Sequence, residues 1–139
     1  MTALLTALVT WLAANFDLPA TYDLPEVRFV PAAQISDLRY RHITATRRRS
    51  VVAVYDDASR TILLNEAWTG QSAEELSILV HEVVHHLQNL AGHQHRCRGA
   101  REKLAYEAQE RWLGLFGLSL HAAFELDPMT LKVSTACFR

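Results

Sequence analysis

Two histidines four residues apart, with a glutamate directly after the first, are the residues of this chain best suited to chemistry. His81, Glu82 and His85 form the pattern H-E-x-x-H within the apolar stretch Ile78–Leu87. Because an α-helix repeats every ~3.6 residues, side chains at i and i+4 lie on one face, one turn apart. Both imidazoles can therefore bind one Zn²⁺, while Glu82 can take a proton from a water in an open coordination position. The spacing predicts a catalytic zinc site.

A buried helix with two hydrogen-bonded histidines and a surface glutamate would contain the same motif. The stretch around the motif is uncharged apart from Glu82 and any protonated histidine. Burying two histidines and a carboxylate on one helix face without a metal is costly, because each polar group loses its hydration. The composition of the stretch therefore favours the metal site.

Start and stop signals bound the helix that contains the motif. Ser72 and Glu75 have the spacing of a capping box, with Ser72 as N-cap and Glu75 at the third helical position. Gly92 is suited to the left-handed conformation that ends many helices. These signals predict a helix over about Ala73–Leu90.

The motif and its surroundings resemble the zincin metallopeptidases over roughly residues 61–116. The metzincin branch needs a glycine and a histidine at positions that here hold Gln88 and Ala91, so the resemblance is to the gluzincins. In gluzincins a second helix supplies a glutamate ligand, commonly within E-x-x-A-D, and Glu102–Tyr106 matches this as E-x-x-A-Y. The resemblance implies that His81, His85 and Glu102 bind Zn²⁺ and that Glu82 is the general base of peptide-bond hydrolysis.

Two glutamates compete for the place of third ligand. Glu102 and Glu107 are five positions apart on one predicted helix, so they point about 140° away from each other. The face of Glu107 is largely polar, whereas the face of Glu102 is largely apolar and suited to packing inward; its members are Ala105, Tyr106, Gln109, Leu113 and Phe116. Helix periodicity therefore also favours Glu102.

Tyr106 and His121 are candidates for a supporting role. Tyr106 occupies the place of the aspartate that orients a histidine ligand in the family, so the partner of His81 is left open. Gluzincins often stabilise the oxyanion with a downstream His or Tyr, and the resemblance extends this role to Tyr106 or His121. The alternative for each is packing and hydrogen bonding without a catalytic role.

Three further histidines and a cysteine follow the motif closely, namely His86, His93, His95 and Cys97. A second metal site can be drawn from them, but their spacing matches no strong zinc template. The spacing favours solvent-exposed loop histidines.

The remaining elements predict an α+β fold. Glu26–Val30 alternates as a short strand, and Ser50–Tyr55 with Arg60–Asn65 forms a predicted hairpin. Further helices are predicted over about 100–116, within 119–125 and after Asp127-Pro128. The expected architecture is one domain over residues 1–139, with a small antiparallel sheet packed on the H-E-x-x-H helix and on the helix of Glu102. The resemblance implies the same minimal layout.

The strand before the metal helix has a second expected role. In the family this strand is an edge that pairs with extended substrate, and Thr61–Asn65 occupies its place. The alternative is a core strand of the hairpin.

Composition excludes several classes of protein. With 50% hydrophobic and 21% charged residues and a net charge of −1, the chain is an ordinary globular domain with no overall attraction to nucleic acid. No apolar run approaches the roughly 18 residues of a membrane span. A cluster of arginines predicts a solvated loop or, less favourably, a site for an acidic partner; its members are Arg39, Arg41, Arg47, Arg48 and Arg49.

The cysteines and the N-terminus bear on the compartment. Cys97 and Cys137 are either one disulfide, which adds roughly 3–4 kcal/mol by constraining the unfolded chain, or two unrelated thiols. A bridge points to a periplasmic or secreted protein whose signal has been removed, and free thiols point to the cytoplasm. The apolar segment 1–14 lacks the basic start of a signal and is predicted to be a folded amphipathic helix.

The sequence as a whole predicts a small zinc-dependent peptidase that acts on a peptide or protein. The alternative is a catalytically inactive zinc-binding or partner-binding domain on the same fold. Glu82 favours the enzyme, because a purely structural zinc site has no use for a base.

Overall fold

The protein combines a small sheet with several helices, as a computed structural model of residues 1–35 and 53–137 shows. The architecture is therefore α+β, as the sequence predicts. The helices are α1 (Thr2–Asn15), α2 (Ala73–Leu90), α3 (Arg98–Gly114), α4 (Leu120–Phe124) and α5 (Pro128–Ser134), and the strands are β1 (Glu26–Val30), β2 (Ala53–Asp56) and β3 (Thr61–Asn65).

The three strands form one sheet in the order β1-β3-β2. The predicted hairpin is confirmed, since β2 and β3 pair antiparallel with Tyr55 opposite Ile62. The prediction of a wholly antiparallel sheet is wrong, because β1 pairs with β3 in parallel. Alternating residues predict a strand but not the direction of its neighbour, which depends on how the connecting chain crosses the sheet.

The expectation that Thr61–Asn65 is an edge strand is also wrong. β3 lies between the other two strands, so both of its backbone edges are already hydrogen-bonded. Ile62 and Leu64 have no exposed surface, which fits an apolar run in the centre of a sheet. A substrate strand therefore cannot add to β3, and the alternative of a core hairpin strand is the one observed.

Helix α2 is the centre of the molecule. It packs most extensively against α3, and it also contacts β2 and α1. Each fully buried aliphatic side chain in this core contributes about 1.5–3 kcal/mol to folding. The N-terminal segment is a folded helix, α1, as predicted, and its buried residues are Leu5, Leu8, Val9 and Leu12. The apolar core residues of α2 are Leu79, Val80, Val83, Val84 and Leu87.

The predicted bounds of α2 are confirmed by its caps. Ser72 Oγ accepts a hydrogen bond from the N–H of Glu75 (3.1 Å). The Glu75 carboxylate accepts another from the N–H of Thr69 (2.6 Å), which ties the preceding loop to the helix. At the other end Gly92 has φ +68°, a conformation that glycine adopts without strain. The H-E-x-x-H motif therefore lies on a helix fixed at both ends.

A disulfide joins the start of α3 to the C-terminal segment. Cys97 and Cys137 are bonded, which confirms the bridge over the pair of unrelated thiols. Cys97 is also the N-cap of α3, whose first residue, Arg98, lies two residues before the predicted helix start. A Cβ on Gly99 would lie 2.5 Å from the carbonyl oxygen of Ala136, so only glycine allows the C-terminal backbone this close to α3.

Two further predictions concern a membrane span and the arginine cluster. Within residues 1–35 and 53–137, no helix combines the length and apolar character needed to cross a bilayer. The arginine cluster between residues 39 and 49 lies outside the residues that the structure describes.

Candidate metal centre

The three predicted ligands meet between α2 and α3. The Nε2 atoms of His81 and His85 lie 2.8 Å and 3.0 Å from the same oxygen, Oε2 of Glu102. One ligand atom from each residue lies within 4.8 Å of the others. The side chains are only 5%, 6% and 16% exposed, respectively. This is the convergence that the motif and the second helix predict.

A chain of hydrogen bonds fixes the orientation of His81. The Ser77 hydroxyl donates its single hydrogen to the carbonyl of Glu74 (2.7 Å), so it can only accept from Gln109 Nε2 (3.2 Å). The amide oxygen of Gln109 must then face His81 Nδ1, at 2.9 Å. Because an amide oxygen only accepts, His81 carries a hydrogen on Nδ1.

His85 is oriented in the same way from the other side. Gln88 Nε2 donates to the carbonyl of Arg101 (3.1 Å), which can only accept. The amide oxygen of Gln88 therefore faces His85 Nδ1 at 2.9 Å, and His85 also carries a hydrogen on Nδ1. Hydrogen bonds that reach backbone carbonyls thus set the tautomer of both histidines.

The other ring nitrogen of each histidine, Nε2, carries no hydrogen when the imidazole is neutral. A neutral imidazole has one N–H, and in both residues it is used by a glutamine. When both imidazoles are neutral, the Nε2 lone pairs of His81 and His85 consequently face the carboxylate of Glu102 and repel it in a buried space, whereas a proton on Nε2 would make each contact a hydrogen bond. A divalent cation removes this repulsion by binding both nitrogens and the carboxylate oxygen. Two neutral imidazoles and one carboxylate are also the protein ligands of several catalytic zinc sites, so the residues present fit zinc.

The charges at the centre favour an ionised carboxylate. Burial by itself raises the pKa of Glu102, but His85 and His81 outweigh it and hold that pKa well below its usual range. Burial opposes protonation of His85, yet the charge and hydrogen bond of Glu102, with the charge of Glu82, raise the pKa of His85. The site therefore attracts positive charge, whether protons or a metal ion.

Glu82 lies beside the ligands, as the motif predicts. It is only 4% exposed, and its charge acts on His85. A carboxylate in this position can accept a proton from a molecule bound near the ligands, which is the role expected of a general base.

Comparison with known proteins gives the family. A family model described as a domain of unknown function (DUF6647) matches residues 1–139. The chain belongs to the DUF6647 family. Comparisons with the curated proteins and with the solved structures find no match.

The glutamines are the part of the DUF6647 site that the sequence did not reveal. The family resemblance places an orienting aspartate at the position of Tyr106, but Tyr106 packs its ring on His81, with centroids 4.7 Å apart. Gln109, one turn further along α3, orients His81 instead. Two signals were present: Gln109 shares the inward face of Glu102, and Gln88 follows His85 by three residues on α2.

The predicted oxyanion residues occupy different surroundings. Tyr106 is half-buried next to His81, so it is close to the metal centre. His121 is exposed on α4, where its charge acts on Asp127. The oxyanion role stays a prediction for both residues, and proximity to the centre favours Tyr106.

A second metal site with His86 and Cys97 is wrong. His86 is fully buried, where its Nε2 donates to the carbonyl of Asp23 (2.7 Å) and its Nδ1 accepts from the hydroxyl of Tyr55 (3.0 Å). Cys97 is used by the disulfide. The expectation of an exposed loop histidine is also wrong for His86, because α2 turns it towards the sheet.

The inward face of α3 is largely as predicted in this DUF6647 domain. Ala105, Gln109 and Leu113 are buried, while Glu107 is exposed and directed away from the metal centre. Phe116 is the exception at 53% exposed, because it follows the last turn of α3. Helix periodicity thus distinguished the two glutamates and failed only beyond the helix end.

Proposed function

We propose that this protein is a zinc-dependent peptidase that hydrolyses peptide bonds in a peptide or protein substrate. The observation that carries the proposal is the orientation of the ligands. Both histidines donate from Nδ1 to a glutamine and turn Nε2 towards Glu102. Without a cation this arrangement leaves buried lone pairs facing a carboxylate, whereas a zinc ion uses every one of them.

The residues divide the chemistry among themselves. His81, His85 and Glu102 would hold zinc, which supplies Lewis acidity and lowers the pKa of water to about 7. Glu82 accepts the proton of the attacking water and returns it to the leaving amine. Gln88 and Gln109 keep the two imidazoles in the tautomer that binds metal.

A catalytically inactive zinc-binding domain is the alternative. A structural zinc site normally has four protein ligands, commonly cysteine and histidine. Among the residues that the structure describes, the cluster with metal-binding geometry has three, His81, His85 and Glu102. This number of ligands and the neighbouring Glu82 both favour catalysis.

The disulfide bears on where the protein works. The Cys97–Cys137 bridge persists where the surroundings are oxidising, as in the periplasm or outside the cell. We therefore place the peptidase in such a compartment as part of the same proposal.

The test is metal analysis of protein purified without added zinc, followed by Glu82→Gln. We expect about one zinc per chain in both proteins and loss of nearly all peptidase activity in the variant, because glutamine keeps the size but cannot act as a base. A zinc content far below one per chain would refute the metal site. Cleavage at the unmodified rate by Glu82→Gln would refute the mechanism.

A further inference from the structure

The disulfide lies at the start of the helix that carries the third metal ligand. Cys97 caps α3, and Glu102 follows within the same helix. The N–H of Ala100 donates to Sγ of Cys97 at 3.4 Å, and the N–H of Arg101 donates to its carbonyl oxygen at 3.4 Å. Because Cys97 is bonded to Cys137, these hydrogen bonds tie the first turn of α3 to the last of the described residues.

The carbonyl group of Arg101 connects this turn to the metal centre. It accepts a hydrogen bond from Gln88 Nε2 (3.1 Å), which turns the amide oxygen of Gln88 towards His85 Nδ1 (2.9 Å). A shift of the first turn of α3 would therefore move the acceptor that orients Gln88. Loss of an outer partner of this kind weakens metal binding by about 10–100-fold.

The C-terminal segment, residues 128–137, gains little from apolar packing. None of the residues of α5 is buried, and Met129 and Val133 are 69% and 55% exposed. The backbone of the segment instead passes directly over Gly99, which the carbonyl oxygen of Ala136 approaches closely. An element with so little buried surface opens easily, so the bridge contributes much of what keeps this segment on α3.

The bridge borders a pocket that a small reductant can enter. Cys97 and Gln88 both line this open pocket, which has a volume of about 460 Å³ and lies between the end of α2 and the start of α3. A dithiol can reduce the bridge by thiol–disulfide exchange. Its first thiolate attacks one sulfur to form a mixed disulfide, and its second thiol then closes the reductant's own disulfide. Two electrons and two protons pass to Cys97 and Cys137, which become thiols.

We propose that the Cys97–Cys137 bridge is a redox latch for the metal centre, an inference that rests on the proposed zinc-dependent function. The closed bridge fixes the first turn of α3 and keeps the carbonyl of Arg101 in place for Gln88. The dithiol form keeps the fold, because α3 packs extensively on α2, but it binds zinc less tightly. The site thus reaches its full zinc affinity in an oxidising compartment, the kind of compartment proposed above.

The test compares zinc affinity, measured by competition with a chelator, in the bridged protein and in the double variant Cys97→Ser with Cys137→Ser. The double variant stands for the reduced form and has no thiol that could itself bind zinc. We expect it to remain folded and to bind zinc about tenfold more weakly. Equal affinity would overturn the proposal. A double variant that does not fold would also overturn it, because the bridge would then support the whole fold rather than one turn of α3.

Leu63→Ala is the control for a general loss of stability. Leu63 is buried in a small cluster with Ile35, separate from the main core, so its truncation destabilises the fold away from the two ligand helices. Its zinc affinity should stay within about twofold of the unmodified protein, because distant sites act independently. If Leu63→Ala weakens zinc binding as much as the double variant does, the effect belongs to overall stability and the proposal fails.

The single variants separate the bridge from the helix cap. Serine is a favourable N-cap residue, so Cys97→Ser loses the bridge but keeps an acceptor for the N–H of Ala100. Cys137→Ser loses the bridge and leaves a thiol as the cap. Both should match the double variant in zinc affinity. An effect of Cys97→Ser alone would assign the loss to the cap and overturn the proposal.

Hydrogen exchange in the metal-free proteins measures the local movement without zinc. The amide hydrogens of Arg101 and Glu102 should exchange at least about tenfold faster in the double variant, while that of Gln109, later in α3, should stay within about twofold. Unchanged exchange in the first turn, or an equal increase along the whole of α3, would overturn the proposal.

The native bridge itself must also respond to a reductant. A dithiol should release two thiols per chain from the folded, bridged protein, and a bridge that resists it without denaturant would overturn the proposal. Weaker zinc binding in the double variant, together with no peptidase activity in the zinc-loaded bridged protein, would support the latch and count against the peptidase function alone.

Discussion

His85 and His86 are neighbours on α2, yet their ring nitrogens are used in opposite ways. His85 donates from Nδ1 to Gln88 and points a bare Nε2 at Glu102. His86 donates from Nε2 to the carbonyl of Asp23 and accepts at Nδ1 from Tyr55. His86 is thus satisfied by the protein alone, while neutral His85 leaves a lone pair that a cation would satisfy.

The difference shows that the partner of each ring nitrogen, rather than burial, decides which histidine has a nitrogen available for a metal ion. Both rings are buried, and both residues lie within the same apolar stretch of α2. One residue along a helix turns the side chain by about 100°, which is enough to move it from α3 to the sheet. Substitutions on the side of α2 that faces α3 and on the side that faces the sheet should therefore have different effects.

The largest expected effect separates the two histidines directly. His85→Ala should reduce the zinc content from about one ion per chain to near zero. His86→Ala should keep the zinc but destabilise the fold by about 2–5 kcal/mol, because it leaves a cavity and removes the hydrogen bonds to Asp23 and Tyr55. Metal analysis and thermal unfolding of both variants measure these effects. Zinc loss in His86→Ala with an intact fold would contradict the comparison.

The third ligand gives the next largest effect. Glu102→Ala should weaken zinc binding more than about 100-fold, beyond what the loss of an orienting partner costs. Glu107→Ala, on the exposed face of α3, should stay within a few-fold of the unmodified protein. Competition with a chelator of known affinity gives both values. The reverse ranking would mean that α3 is rotated about its axis.

The glutamines should have a smaller effect on the same measurement. Gln109→Leu removes the acceptor that holds His81 in its metal-binding tautomer, so zinc affinity should fall about 10–100-fold. Gln71→Leu changes an exposed glutamine before α2 and serves as the control. If both variants bind zinc equally well, the orientation of His81 does not depend on Gln109.

The smallest effect is a difference in titration in the metal-free protein. The pKa of His85 should lie above 6.5 and that of His86 below it. The stability from His85 is therefore present below its unfolded pKa and lost as pH rises through the folded pKa. Burial of neutral His86 has the opposite sign, and its contribution is lost as pH falls. Imidazole NMR against pH measures both, and a reversed order would contradict the assignment.

Much of the secondary structure could be predicted because its signals are local. The cap at Ser72, the stop at Gly92 and the N-cap with proline at Asp127-Pro128 each depend on a few adjacent residues. The strand positions were equally readable, since Glu26–Val30 begins and ends as predicted. Pairing was not, because which strand lies next to β3 depends on residues far apart in the chain.

The three candidate metal ligands could be identified from local sequence alone. The i, i+4 spacing puts His81 and His85 on one helix face whatever the rest of the fold does, and helix periodicity selects Glu102 over Glu107. The hydrogen-bond partners of those residues became visible only in the folded structure. The roles of Gln88 and Gln109 depend on how α2 and α3 pack. Similarly, β3 is a central strand instead of the expected edge strand because β1 pairs with it on the side opposite β2. Spacing within one helix is fixed by backbone geometry, whereas contacts between elements depend on how the whole chain packs.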